Sequence, residues 1–365
     1  MRRWIRAGRS LALLLPLLLA AGAGAQDGPR LTAVAEFPLG DNCPIAGTLN
    51  ADATAVWALM KNCSVGGDAL LLQAFALADG SAVGQTAAPF PTNIAPLDVF
   101  SFNRPLTLGA DGALLVDLVD DSTTMSSASF MVDPSTGAVT PVTDTPRVLT
   151  AGQIMAALPA FTGYTDMLTY SDDRSLALTQ DDAALYVFNV ASGQLILRLE
   201  PPGGVEYATP WFGPGSYHLY IAQMADPGNY DNPAETLYVF DIASGAQVAQ
   251  YDSPHTVYAI SPDERLAVVS TIPCCDHLSL AVLDLAAGTL SASLPTQTST
   301  VTLDVCKNDG RATSFDWVSS DPLMVEILWL PDSSGFITLH SEVFSSGPTP
   351  CYANDSRMRV YAVAG

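Results

Sequence analysis

An all-β ring of six four-stranded units is the fold this sequence predicts, and three observations predict it. First, the strongest periodic segments alternate apolar and polar residues every two positions, between turns drawn from 27 Gly and 26 Pro. Second, one phrase recurs: "LYVFNVASGQ" at Leu185–Gln194, "LYVFDIASGA" at Leu237–Ala246 and "LAVLDLAAGT" at Leu280–Thr289, with weaker copies at Leu72–Ser81 and Ser129–Ala138. Third, a second phrase precedes each copy, clearest as "SPDERLAVVS" at Ser261–Ser270. Its relatives begin near Asn50, Gly109, Ser171, Gly213 and Leu330.

Each copy of the first phrase reads as a strand and a turn. Gly80, Gly137, Gly193, Gly245, Gly288 and Gly365 supply the positive φ, and the Asp or Ser before them bonds the local backbone. Each copy of the second reads as strand, tight polar turn, strand. Six pairs make six units of about 57 residues, and that period with four strands per unit is a β-propeller. Strands are lettered A to D from the central channel outward. The last copy stops at Gly365 with no strand left to follow, and "RLTAVAEFPLG" at Arg30–Gly40 has no partner phrase. The N-terminal strand is therefore expected to supply strand D of blade six and close the ring.

Residues 1–25 stand outside this scheme. Arg2, Arg3, Arg6 and Arg9 precede the apolar run "LALLLPLLLA", and Ala23-Gly24-Ala25 is a small-residue cleavage site before Gln26. This is the pattern of a secretory signal peptide, too short for a membrane span. The expected domain is residues 26–365, exported to a periplasmic or extracellular space. No later stretch reaches 18 uninterrupted apolar residues, so no membrane span is expected, and a monomer is the default. Removal of the four arginines leaves 11 basic residues against 37 acidic ones, a net charge of about −26. Such a surface repels phosphate backbones and anionic lipids, which excludes nucleic acid as a partner.

"RLAVVS…LSLAVLDLAAGTLSASLP" in blade five resembles the YVTN type of propeller repeat, a relative of the WD-repeat family. The resemblance covers most of the chain after the leader at the level of repeat shape. It implies the fold but no activity, because that superfamily hosts binding scaffolds and enzymes alike. The WD-repeat histidine and Trp-Asp pair are absent, and no catalytic residue is carried over.

In this topology the A–B and C–D turns share one face, the bottom. The D–A and B–C connections share the top, where the long variable segments fall, and long loops gathered on one face mark the functional one. Cys43 and Cys63 flank the first A–B hairpin within disulfide reach, and Cys306 and Cys351 repeat that arrangement in blade six. Cys274 and Cys275 remain, in the B–C connection of blade five. A vicinal disulfide, a thiol-ligated metal site with His277 and Asp276, and free thiols are the three readings of that loop.

Counting back from each A–B turn puts Asp41, Arg104, Asp166, Glu206, His255 and Glu326 at the channel mouth. Six-bladed lactonase-like propellers hold calcium at this place with inner-strand Glu, Asn and Asp. The positions here are mixed, so no cofactor is predicted and calcium is the candidate. "ADPGNYDNPAE" spaces Asp226, Asn229, Asp231 and Glu235 like a loose calcium loop without EF-hand order. The tryptophans Trp57, Trp211, Trp317 and Trp329 read as blade packing. No G-x-S-x-G, H-E-x-x-H, P-loop or dinucleotide motif occurs. The expected function is an exported binding or scaffold module, with a protein or glycan ligand on the top face. The alternatives are a channel-mouth hydrolase or lyase, calcium-assisted, and a metal or redox protein using Cys274–His277.

Overall fold

The computed structural model describes residues 28–39, 42–62, 70–86, 94–96, 106–109, 112–120, 127–142, 149–163, 168–205, 208–226, 234–270, 279–295, 300–302, 316–318, 322–346, 351–354 and 356–364. They form six antiparallel sheets that are the blades, and a separate two-stranded ribbon. In blade one the strands A to D are Asn42–Leu49, Ala55–Asn62, Leu70–Ala76 and Ala82–Thr86. Blade three has Thr169–Tyr170, Leu176–Gln180, Leu185–Asn189 and Gln194–Leu199. Blade four has Ala208–Phe212, His218–Met224, Glu235–Asp241 and Gln247–Ser253.

Blades two and five each break one strand in two. In blade two, Ile94–Pro96 and Leu106–Leu108 both pair with strand B, Leu114–Asp120, followed by Ser127–Val132 and Val139–Pro141. In blade five, Thr256–Ile260, Leu266–Ser270 and Ser279–Asp284 are completed by Thr289–Leu290 and Leu294–Pro295, which both pair with strand C.

Blade six has Pro322–Trp329 as A, Gly335–Ser346 as B and Arg357–Ala364 as C. Its strand D is Arg30–Pro38, paired from Arg30 opposite Ala364 to Pro38 opposite Arg357. The N-terminal strand therefore closes the ring, as the repeat count predicts. Glu36 fastens the closure: it takes Arg357 on one carboxylate oxygen and Arg359 Nε on the other at 2.6 Å. Arg359 is buried, and its pairing with Glu36 is a charge-assisted hydrogen bond between strands C and D.

The bottom turns show why the second phrase repeats. Its fourth residue is left-handed in all six blades: Ala53, Gly112, Arg174, Ser216, Glu264 and Ser333, with φ between 52° and 80°. The residue before it is an aspartate in five of the six blades, and in blades one and six its bonds hold the turn. Asp52 accepts from Thr54 Oγ1 at 2.7 Å, and Asp332 from Ser334 N at 3.0 Å and Ser334 Oγ at 2.6 Å. At the C–D turns Gly80, Gly137, Gly193, Gly245 and Gly288 have positive φ as expected; Gly365 lies outside the described residues.

Alternate residues of each blade face its two neighbours, and among the described residues apolar cores join blades one and two, three and four, four and five, five and six, and six and one. Leu59, Leu72, Leu114 and Val116 join blades one and two, and Phe75, Ile337, Leu339 and Met358 join blades one and six. Trp57 and Trp329 are buried in such cores, and Trp211 stacks on Tyr220 at 6.0 Å. The outer strands carry bulges that leave Val34, Ile196 and Val248 unpaired and exposed. A bulge twists the outer edge away from pairing with another chain.

Three top-face segments contain structure that their sequence reading leaves as loop. Residues 151–157 form an α-helix, Ala151–Ala157, started by a capping box in which Thr150 and Gln153 exchange bonds. Its Ile154 joins Leu149 and Phe161 on the face of blade three turned from blade four. Asp316–Val318 pairs with Thr300–Thr302, and Cys351–Asn354 extends strand B of blade six as a hairpin.

Candidate functional site

The top rim between blades four and five carries a carboxyl raised far above its ordinary range. Glu235 opens strand C of blade four, directly after a connection, and the next blade covers it. Its Oε2 accepts the Val257 N–H of blade five at 2.8 Å. That single bond does not offset the loss of water, and burial pushes the carboxyl up to about 7. Glu235 is thus the last member of the calcium-like spacing, and its carboxyl spans two blades.

Opposite Glu235 in the sheet stands Ser253, the last residue of strand D. Its hydroxyl donates to the His255 carbonyl at 2.5 Å and accepts from the His255 N–H at 3.2 Å, which shapes the crossover into blade five. His255 is half-buried, its Nδ1 has no hydrogen-bond partner, and burial lowers its pKa. The ring is therefore neutral at neutral pH, with one nitrogen unengaged.

Strand A of blade five then bulges between Val257 and Ala259, so Tyr258 has no opposite residue. Its phenol is raised by burial and further by the charge of Glu235, while a hydrogen bond to Ser270 acts the other way. Ser270 and Ser279, both buried, end strand B and begin strand C of this blade. They bracket the segment that holds Cys274, Cys275, Asp276 and His277. Glu235 and Ser270 both act on Tyr258, which is 43% exposed, and Ser253 and His255 form the crossover that leads into its strand. A carboxyl pushed up to about 7 beside a phenol can exchange protons at physiological pH or bind a polar ligand by hydrogen bonds.

Of the six residues expected at the channel mouth, His255 belongs to this rim. Glu326 is half-buried in strand A of blade six, one residue past a bulge between Met324 and Glu326. Asp41, Arg104, Asp166 and Glu206 lie outside the described residues. So do Cys63, Cys274, Cys275, Cys306, His277 and Asp231, and the side chain of Cys351. Cys43 is buried in strand A of blade one and disulfide-bonded, its partner outside the described residues. Asp226 stands just past strand B of blade four. Among the described residues no three His, Cys, Asp or Glu side chains come together as a metal site. No described helix is long and apolar enough to cross a membrane.

No protein-family model matches the chain, and no curated protein matches it in sequence. Among solved structures it is similar to TolB from Acinetobacter baumannii, at 14% identity and a TM-score of 0.41. That match covers 85% of this chain and 64% of the TolB chain, so the chain spans less than two thirds of that protein. It is also similar to Kuenenia stuttgartiensis hydrazine synthase, at 13% identity and a TM-score of 0.37, over 84% of this chain and 78% of that one. At these identities and scores neither likeness bears on ligand or activity; the ring stands on its own strand pairing.

Proposed function

We propose that this chain is an exported propeller that binds a polar ligand or partner at its top rim, between blades four and five. The observation that carries the reading is the part-buried Glu235 carboxyl coupled to Tyr258 across two blades, with His255 in the crossover three residues before it. A carboxyl buried with one hydrogen bond and an imidazole nitrogen with none are costly in an empty scaffold and useful against a hydrogen-bonding ligand. The acidic composition favours neutral or cationic ligands, and an exported protein meets glycans and other proteins. Disulfides Cys43–Cys63, Cys306–Cys351 and Cys274–Cys275 would stiffen the rim around that ligand.

A second reading rests on Glu235 itself. A carboxyl at about 7 is matched to general acid–base work at neutral pH, which suits a channel-mouth hydrolase or lyase. One paired screen separates the two. The exported protein and its Glu235→Gln and His255→Ala variants are tested against an array of neutral glycans and a panel of ester and lactone substrates, at pH 5.5 and 8. Glycan binding that the variants lose supports the binding module. Turnover that titrates near pH 7 and vanishes in Glu235→Gln supports the enzyme. Neither response would remove this rim as the site. Non-reducing peptide mapping with a metal assay tests the cysteine loop: free Cys274 and Cys275 with one bound metal per chain would replace the disulfide reading.

A further inference from the structure

The A–B turns follow one rule and break it once. Five of the six have Asp in third place: Asp52, Asp111, Asp173, Asp263 and Asp332. The fifth residue is small and hydroxylated in three of them, and Thr54, Ser175 and Ser334 each hydrogen-bond that aspartate. Blade four instead reads Gly213-Pro214-Gly215-Ser216-Tyr217. It has no carboxylate, and it has two successive left-handed residues, Gly215 at 68° and Ser216 at 60°. Tyr217 stands where blades one, three and six have a hydroxyl and blades two and five have Ala113 and Arg265, and it is 73% exposed. The fold does not call for an aromatic there, and a repeat that departs from its own rule without a local gain points to function.

Beside Tyr217 a cavity of about 340 Å³ opens on the bottom face between blades three and four. Leu176, Ile242 and the bulge residue Ile196, which is 43% exposed, give it aliphatic walls. Asp241 gives it a carboxylate. The Ser244 hydroxyl and N–H hold that carboxyl below its ordinary pKa, at 2.5 and 2.8 Å. Both bonds fall on Oδ1, which leaves Oδ2 for another donor. Glu264, the acid across the neighbouring turn, is already bonded to His218 Nδ1 at 2.8 Å.

We propose that this cleft docks a lysine or arginine side chain presented by a basic partner protein. The aliphatic walls take the stem of such a side chain, and the Tyr217 ring and Asp241 take its charged end. Charge complementarity selects the partner: the chain carries 37 acidic residues against 15 basic ones. The site lies on the face opposite the top rim and stands whatever that rim binds.

The test is saturation-transfer NMR on the exported protein. The probe is a seven-residue Gly/Ser peptide with one central lysine, run beside its norleucine counterpart. The lysine methylene signals are expected on the wild type and not with norleucine. Tyr217→Ala should weaken the response about threefold, Tyr217→Phe should retain it because the ring face is kept, and Asp241→Asn should weaken it with the Ser244 bonds intact. Val248→Ala, an exposed apolar position on the outer edge of blade four, should change nothing. A lysine signal indifferent to Tyr217→Ala would mean diffuse attraction to an acidic surface and would overturn the proposal. Equal binding of norleucine would overturn it as well, by making the cleft merely apolar. Unchanged melting of the variants, expected at so exposed a ring, makes these losses readable as lost contacts.

Discussion

The bottom turns and the top rim of blades four and five treat the same chemical group in opposite ways. At the bottom, Asp133 is in open solvent and accepts from the Ser135 and Thr136 hydroxyls and from Ser135 N, which holds it ionised down to about 2. At the top, Glu235 is covered by the next blade, accepts one backbone N–H and is pushed up to about 7. Count of hydrogen bonds and access to water separate the two, since neither group has a cation beside it that sets its shift. The bottom carboxylates complete a repeated turn, and Asp133 uses both of its oxygens in doing so. The top carboxyl is left with unused capacity, and unused capacity in a buried polar group is what a ligand site needs.

The largest expected effect lies at Glu235. Its folded pKa is above its unfolded one, so between pH 4.5 and 7 the unfolded chain has released a proton that the native chain still holds. Stability should therefore fall as pH rises through that window and level off above it. The full penalty is at most about 3 kcal/mol at pH 8. Glu235→Gln keeps the acceptor for Val257 N–H and removes the charge. It should gain most of that difference at pH 8 and nothing at pH 4, in urea unfolding at both. A variant without gain at pH 8 would place Glu235 in water and erase the contrast with the bottom face.

Glu36 supplies the case with cations. Glu36→Gln leaves the buried Arg359 without its counter-charge, a loss of about 2–3 kcal/mol given that Glu36 is itself one-third exposed. The loss should appear with earlier proteolysis near residue 30, because the N-terminal strand is the piece that comes loose. Destabilisation without that early cut would mean the ring does not open at this seam.

The ring itself was legible because five of the six A–B turns read x-x-Asp-x-x, because the C–D turns of blades two to five read Asp-x-x-x-Gly or Asn-x-x-x-Gly, and because the orphan strand at Arg30 matched the missing strand after Ala364. The helix Ala151–Ala157 was not read, although Thr150-x-x-Gln153 spells its cap; seven residues inside a long connection give too little periodicity to stand out. Counting back from the A–B turn singles out His255, and a local acidic spacing includes Glu235. Its burial and its partner Val257 come from the adjacent blade, and contacts between blades leave no mark at the strand's own positions. The bulge at Tyr258 was hidden for the same reason, since an extra residue in one strand shows only against its partner.

On the acid side the bottom turns give the mirror-image prediction. Asp133 has a folded pKa below its unfolded value, so its contribution is present above about pH 4 and is lost as pH falls toward 2. Asp133→Asn keeps one acceptor and removes the titration. The variant's stability curve should lie below the wild type at pH 6 and meet it near pH 2, with no difference in slope between pH 5 and 8, where Glu235 acts. A slope change in that upper window would mean the two faces are electrostatically coupled rather than separate.

The smallest effect tests whether the bottom turns carry strain in place of function. Ala53 is left-handed at φ 52° and half-buried. The left-handed region costs a residue with a Cβ about 1 kcal/mol that glycine does not lose, against a glycine's larger unfolded-state entropy. Ala53→Gly should therefore stabilise by about 0.5 kcal/mol. The same change at Glu264 should give less or reverse sign, because it also removes the bond to His218. If both glycine variants gain equally, the His218–Glu264 pair contributes nothing to the blade four–five seam. The uniform bottom face would then be held by backbone geometry alone, with the polar energetics of that interface concentrated at the top rim.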